Sequence, residues 1–242
     1  MFLNKLYKDD ENKNDRYQGQ KKLMQISESY KNVRSNLMFA MAGKKSDKAK
    51  IIMVTSAEPG EGKTTSCVNL ASVFAEANAK VLVIDADLRR PKVERYITDK
   101  RISKGLSDVL GGFSKLEDVI FKPRGCNFDC IFSGNIPPNP SELLMLDTAE
   151  EVFKTLSEEY DYIFVDTPPV GIVSETLYLT QFVSGVIVVV KKQQTRINKV
   201  KEVLSTLEFA NANILGFIVN GSSNASVRRY YKRGKYYYKQ NY

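Results

Sequence analysis

The chain has no histidine. That absence removes histidine-dependent catalytic triads and histidine proton shuttling, so acid–base chemistry falls to carboxylates, lysine, tyrosine or water. It also leaves no imidazole to complete a zinc site. The three cysteines, Cys67, Cys126 and Cys130, are odd in number and lack metal-ligand spacing, so they read as structural thiols. Long apolar runs are missing too: the longest, such as Val186 to Val190, fall far short of a bilayer span. The opening MFLNKLYKDDENKNDRYQGQKK has no apolar core of signal-peptide length, which predicts a cytoplasmic chain. Finally, the closing RRYYKRGKYYYKQNY has no acidic residue, although it holds six of the thirteen tyrosines.

What is present fits one α/β domain. A hydrophobic fraction of 43% beside 26% charged residues is ordinary for a globular chain of 242 residues. The net charge of +8 would suggest an anionic partner, but Arg228, Arg229, Lys232, Arg233, Lys235 and Lys239 supply six of those charges, so the body is only mildly basic. Residues 1–25 form a polar lead. The domain is expected over 26–227 and a flexible tail over 228–242. Ile26, Tyr30, Val33, Leu37 and Ala40 recur at helical spacing and predict an amphipathic first helix, with Glu28, Lys31 and Arg34 sharing much of another side. Short continuous apolar runs at 51–57, 81–85, 128–132, 162–166, 185–191 and 214–219 predict strands. Helical patterns lie between them at 64–78, 106–110, 141–159, 174–181 and 197–210. That alternation predicts a mostly parallel sheet covered by helices on both faces, a three-layer α/β fold.

The segment Ala57-Glu-Pro-Gly60-Glu61-Gly62-Lys63-Thr64-Thr65 follows a predicted strand and opens a predicted helix, as a P-loop does. Glycines let backbone N–H groups curl around phosphate oxygens, and the helix N-terminus adds positive potential. Lys63 is placed for the β- and γ-phosphates, Thr64 for Mg²⁺ and Thr65 for the α-phosphate. Two further apolar runs end in aspartate, Val81 to Asp85 followed by Asp87, and Tyr162 to Asp166. Ligands of open α/β sheets sit beyond the carboxyl ends of the strands, so Asp85, Asp87 and Asp166 should converge on the metal and the γ-phosphate.

These motifs resemble the deviant Walker A superfamily of P-loop ATPases, and within it the bacterial tyrosine kinases of capsule and exopolysaccharide synthesis. Ala57 to Thr65 corresponds to Walker A, Val81 to Pro91 to the second, Walker A′ motif, and Ile163 to Pro169 to Walker B. Gly134 to Leu144 is similar to the family's proline-rich segment. The resemblance implies a P-loop NTPase fold, ATP and Mg²⁺ as cofactors, and non-specific protein-tyrosine kinase activity. Lys63, Asp85, Asp87 and Asp166 would be catalytic, with Thr64, Asp85 and Asp166 at the metal. Gly60, Glu61, Gly62, Lys63, Thr64 and Thr65 would hold the nucleotide, with Asn220 at the adenine. Either Asp85 or Asp87 would accept the phenolic proton. The resemblance further implies a homo-oligomeric ring built through a Glu-x-x-Arg-x-x-Arg helix, here Glu28, Lys31 and Arg34, in which Lys31 lacks the planar fork of arginine. A transmembrane polysaccharide co-polymerase would activate the chain and recruit it to the inner face of the membrane, and a cognate tyrosine phosphatase would act on it. Min-type and partition ATPases carry a signature lysine five residues before the P-loop lysine. This chain has Glu58 there, which argues against their nucleotide-sandwich dimer and against an ATPase switch on membrane or DNA.

The tail alone fits an ill-ordered basic terminus or a strip that stacks on single-stranded nucleic acid. A kinase explains it better: Tyr230, Tyr231, Tyr236, Tyr237, Tyr238 and Tyr242 become the acceptors, presented to a neighbouring subunit, and no nucleic acid is needed. Each phosphotyrosine adds about −1.5 to −2 charge near neutral pH, so three or four offset the tail's positive charge. The basic flanks are expected to help docking near the acidic site.

Overall fold

The apolar runs become strands buried on both faces, which parallel pairing requires because its crossover helices cover both sides. The computed structural model describes residues 13–42 and 48–222. Among these, six strands form one all-parallel sheet in the order β3-β2-β4-β1-β5-β6: β1 (Lys50–Ser56), β2 (Val81–Asp85), β3 (Asp129–Ile131), β4 (Tyr162–Asp166), β5 (Gly185–Lys191) and β6 (Ile214–Asn220). β1 is central, and every residue from Ile51 to Ser56 is buried. The helices are α1 (Lys13–Ala40), α2 (Lys63–Ala75), α3 (Val93–Ile97), α4 (Leu106–Leu110), α5 (Pro140–Leu144), α6 (Asp147–Glu159) and α7 (Ile197–Phe209).

Alternate strand residues feed two cores. On one face Ile52, Val54, Val83, Phe164 and Val189 pack against α2, and α1 lies outside α2. Phe74 of α2 anchors this side, its ring centroid 4.4 Å from that of Tyr162 and 5.2 Å from that of Phe164. On the other face Met53, Ile84, Val165 and Val188 pack against α4, α6 and α7 through Leu106, Phe153, Leu156 and Leu207. The three layers match the fold expected from the sequence.

Several elements differ from the sequence reading, among them α3 (Val93–Ile97), where no helix was expected. α1 begins at Lys13, inside the stretch read as a lead, and runs unbroken through residue 25. Good helix formers such as Lys and Gln extend a helix whose downstream turns are already packed. The stretch 141–159 is two helices, because Leu146 takes an extended conformation, φ −70° and ψ 149°. Ser174–Gln181 winds as a 3₁₀ helix rather than an α-helix, and the Thr176 hydroxyl within it donates to the Pro168 carbonyl. The tail lies outside the described residues, as do residues 1–12.

Candidate active site

The phosphate loop joins β1 to α2. Gly62 caps α2 in the left-handed region at φ 94°, and a Cβ there would stand 2.4 Å from the Asn220 Nδ2, so both backbone conformation and space demand glycine. Asn220 ends β6 and donates to the Glu61 carbonyl at 2.8 Å. Expected at the adenine, it therefore lies against the loop that would cradle the phosphates.

Glu61 is buried, and its side chain turns back into the protein. One carboxylate oxygen accepts the N–H groups of Ala57 at 2.9 Å and Glu58 at 3.0 Å, while the other accepts the Thr195 hydroxyl. Thr195 in turn accepts the Lys191 N–H at 2.8 Å. The loop is thus tied to the ends of β5 and β6 as well as to its own start. No motif in the sequence marked Thr195, because its partner lies far away in the chain.

Sheet register sets two of the three aspartates. Asp85 and Asp166 end adjacent strands and stand opposite each other. Thr64 donates to one Asp166 oxygen at 2.6 Å, and the other oxygen is buried without a partner. Asp85 accepts the N–H groups of Asp87, Lys92 and Val93 at 3.2, 3.0 and 2.9 Å, so both its oxygens shape the turn after β2. Asp87 faces the other way: it pairs with the Lys63 ammonium at 3.2 Å and accepts the Arg90 N–H at 2.9 Å. Thr65 shares a 3.0 Å hydrogen bond with the Tyr96 hydroxyl, another contact that the sequence did not announce.

Burial pushes the Asp85 carboxyl up to about 8, reinforced by the neighbouring Asp166. Burial also pushes Asp166 up to about 6, against the pull of Lys63 and the Thr64 hydroxyl. Around Lys63 burial disfavours the charge, but Asp166, Asp87 and Asp85 together outweigh it and hold the ammonium above its ordinary value. Three carboxylates against one lysine leave this floor short of positive charge. The orphaned Asp166 oxygen beside the Thr64 hydroxyl fits a hard divalent cation. No group of three or more acidic or sulfur side chains forms a protein-only metal cage among the described residues.

Above the floor opens a cleft of about 500 Å³. Its lining combines Pro59, Gly60, Lys63 and Asp87 with the cationic Arg89, Arg90 and Lys92 and the apolar Pro168, Pro169, Ile172 and Val173. Buried Thr55 fixes the apolar part, donating to the Pro168 carbonyl at 3.0 Å and accepting the Val170 N–H at 3.1 Å. The sequence reading expected basic flanks of the tail to meet an acidic site. The described residues do not include the tail; the cleft lining itself carries Arg89, Arg90 and Lys92 beside Lys63 and Asp87.

The expected subunit-contact residues sit on α1. Glu28 and Lys31 pair with each other at 3.0 Å on its exposed side. The Arg34 guanidinium donates to the Val73 carbonyl of α2, and Tyr30 shares a 3.1 Å hydrogen bond with Ser66 of the same helix. The helix expected in assembly is thus fastened directly to the helix that carries the phosphate loop.

Comparison with known proteins agrees with this geometry. The family described as "AAA domain" matches residues 49–216. Tyrosine-protein kinase YwqD of Bacillus subtilis (strain 168) is 36% identical over 208 residues, 84% of each chain. The putative tyrosine-protein kinase CapB of Staphylococcus aureus is 32% identical over 209 residues, covering 85% of this chain and 90% of that one. The kinase domain of Escherichia coli tyrosine kinase ETK superposes with a TM-score of 0.75 at 35% identity, over 82% of this chain and 78% of that domain. By these matches, and by the phosphate loop with aspartates at the ends of β2 and β4, the chain belongs to the bacterial tyrosine-protein kinases built on the P-loop fold.

Proposed function

We propose that this protein-tyrosine kinase uses ATP and Mg²⁺ to phosphorylate the tyrosine cluster at the end of a neighbouring copy of itself. The acceptors are Tyr230, Tyr231, Tyr236, Tyr237, Tyr238 and Tyr242, which lie outside the described residues. The observation that carries the reading is the placement of Asp87: it pairs with Lys63 in the lining of a cleft of about 500 Å³, a volume that an aromatic ring can enter.

The chain's own groups divide the work. Backbone N–H groups of the glycine loop and the Lys63 ammonium bind and neutralise the phosphates. Thr64 and Asp166 would hold Mg²⁺, which when bound supplies further neutralisation of the phosphate oxygens. Asp85, with both oxygens bonded to backbone, holds the Asp87 segment in place. Asp87, which lines the cleft where Asp85 does not, accepts the phenolic proton. Positioning and electrostatics supply most of the catalysis.

In the wider setting, the chain serves capsular or extracellular polysaccharide synthesis. It assembles as a ring through α1, is activated by the cytoplasmic segment of a transmembrane co-polymerase, and is reversed by a tyrosine phosphatase. No helix among the described residues is long and apolar enough to cross a membrane; recruitment by that partner supplies the membrane location. The test mixes full-length Lys63→Met with a chain ending at Val227, adds ATP, Mg²⁺ and candidate co-polymerase segments, and maps the tail by mass spectrometry. Phosphotyrosine on the Lys63→Met tail, absent from either protein alone, is expected. An unmodified tail despite ATP turnover sinks the reading.

A further inference from the structure

The cleft lining carries two chemistries. Pro168, Pro169 and Ile172 offer an apolar surface, with Ile172 61% exposed. Such a surface suits the ring of an acceptor tyrosine. The same lining carries Arg89, Arg90 and Lys92, all three exposed. Guanidinium groups bind phosphate through paired charge-assisted hydrogen bonds.

The proposed acceptor sequence does not match those cations. From Arg228 to Tyr242 it carries six cations and no acidic residue. An unmodified tail therefore meets like charge in the cleft lining. A single phosphotyrosine adds about −1.5 to −2 charge and reverses the interaction locally. The tyrosines stand in runs, Tyr230–Tyr231 and Tyr236–Tyr237–Tyr238. In an extended chain each residue advances only about 3.3–3.6 Å and successive side chains point to opposite sides, so when one tyrosine enters the cleft the phosphate on its neighbour stays outside it, where long exposed arginine side chains can meet it.

Resting on the kinase reading above, we propose that Arg89, Arg90 and Lys92 form a phosphate-reading group which selects tyrosines adjacent to an existing phosphotyrosine. The first modification of a tail is then slow and the following ones faster. In each turn the phenolic oxygen forms a bond to the γ-phosphorus as the bond from that phosphorus to the β,γ-bridging oxygen breaks. The electron pair leaves on ADP, and the phenolic proton passes to Asp87. The phosphate already on the neighbouring tyrosine takes no part in bond changes; it anchors the substrate.

The test uses the full-length protein with Mg²⁺ and ATP and two peptides spanning Arg233 to Tyr242, one unmodified and one phosphorylated on Tyr237. Modification of Tyr236 and Tyr238 is followed by mass spectrometry. The phosphorylated peptide is expected to show a KM at least about tenfold lower, the scale of a charge-assisted contact. In the double variant Arg89→Gln, Arg90→Gln the ratio between the two peptides should fall towards one. Equal KM values in the unaltered protein overturn the proposal. So does a variant whose KM for ATP rises while the peptide ratio is unchanged, because the arginines then serve the nucleotide. If ATP is turned over and neither peptide is modified, the tyrosine-acceptor reading itself falls, and this inference with it.

Discussion

Glu61 is 4% exposed, its carboxylate tied to two backbone N–H groups and the Thr195 hydroxyl, while Arg89 and Arg90 stand exposed in the cleft lining. These two regions are built in opposite ways. The phosphate loop binds through backbone donors whose positions must be set before the ligand arrives, since donors that must reorganise give up much of their electrostatic advantage. The exposed lining must admit and release a polypeptide, so its charges sit on long side chains. One side is preorganised and the other adaptable.

The contrast can be broken from the loop side first. Replacing Lys63 with Met removes the one cation on the acidic floor, and tail phosphorylation measured by radiolabel transfer should fall at least about a hundredfold. Glu61→Ala comes next. It leaves the N–H groups of Ala57 and Glu58 and the Thr195 hydroxyl without their acceptor, costing about 1–3 kcal/mol in urea unfolding. The same change should raise the KM for ATP, and an unchanged KM would show that the loop keeps its shape without the brace.

The aspartates add a pH dependence. The folded-state values of Asp85 and Asp166 lie above the ordinary carboxylate range near 4, so the folded protein holds protons that the unfolded chain has released. The associated stability is present below about pH 4 and is lost as pH rises through about 6 for Asp166 and about 8 for Asp85. The nucleotide- and metal-free protein should therefore melt at lower temperature at pH 8.5 than at pH 5. Asp85→Asn should flatten the upper part of that slope in differential scanning calorimetry. The smallest effect belongs to the exposed lining: Arg90→Ala should leave stability within about 0.5 kcal/mol, as expected of an exposed side chain. A larger loss would mean that the cationic lining is part of the scaffold and would weaken the contrast.

The phosphate loop was legible because its chemistry is local. Glycines at fixed offsets, a preceding apolar run and a following helix all lie within about fifteen residues. The strand-end aspartates were legible for a similar reason, since an apolar run that stops at Asp85 or Asp166 marks the ligand end of a parallel sheet. The break at Leu146 was not, because neither glycine nor proline stands there to announce it. Nor were Thr195 at Glu61, Tyr96 at Thr65 or Arg34 at Val73, each of which joins residues far apart in sequence. The choice between Asp85 and Asp87 also stayed open, since both follow the same strand.

By itself the sequence determined the layered α/β architecture, the nucleotide loop and the candidate chemistry, because hydrophobic period, glycine placement and strand-end acids act over short stretches of chain. Tertiary structure alone decided which aspartate lines the cleft, which residues brace the loop, and that Arg89, Arg90 and Lys92 share that lining. Those are matters of which side chains from distant segments come within a few ångströms of one another, and only the packed sheet and its crossovers set that distance.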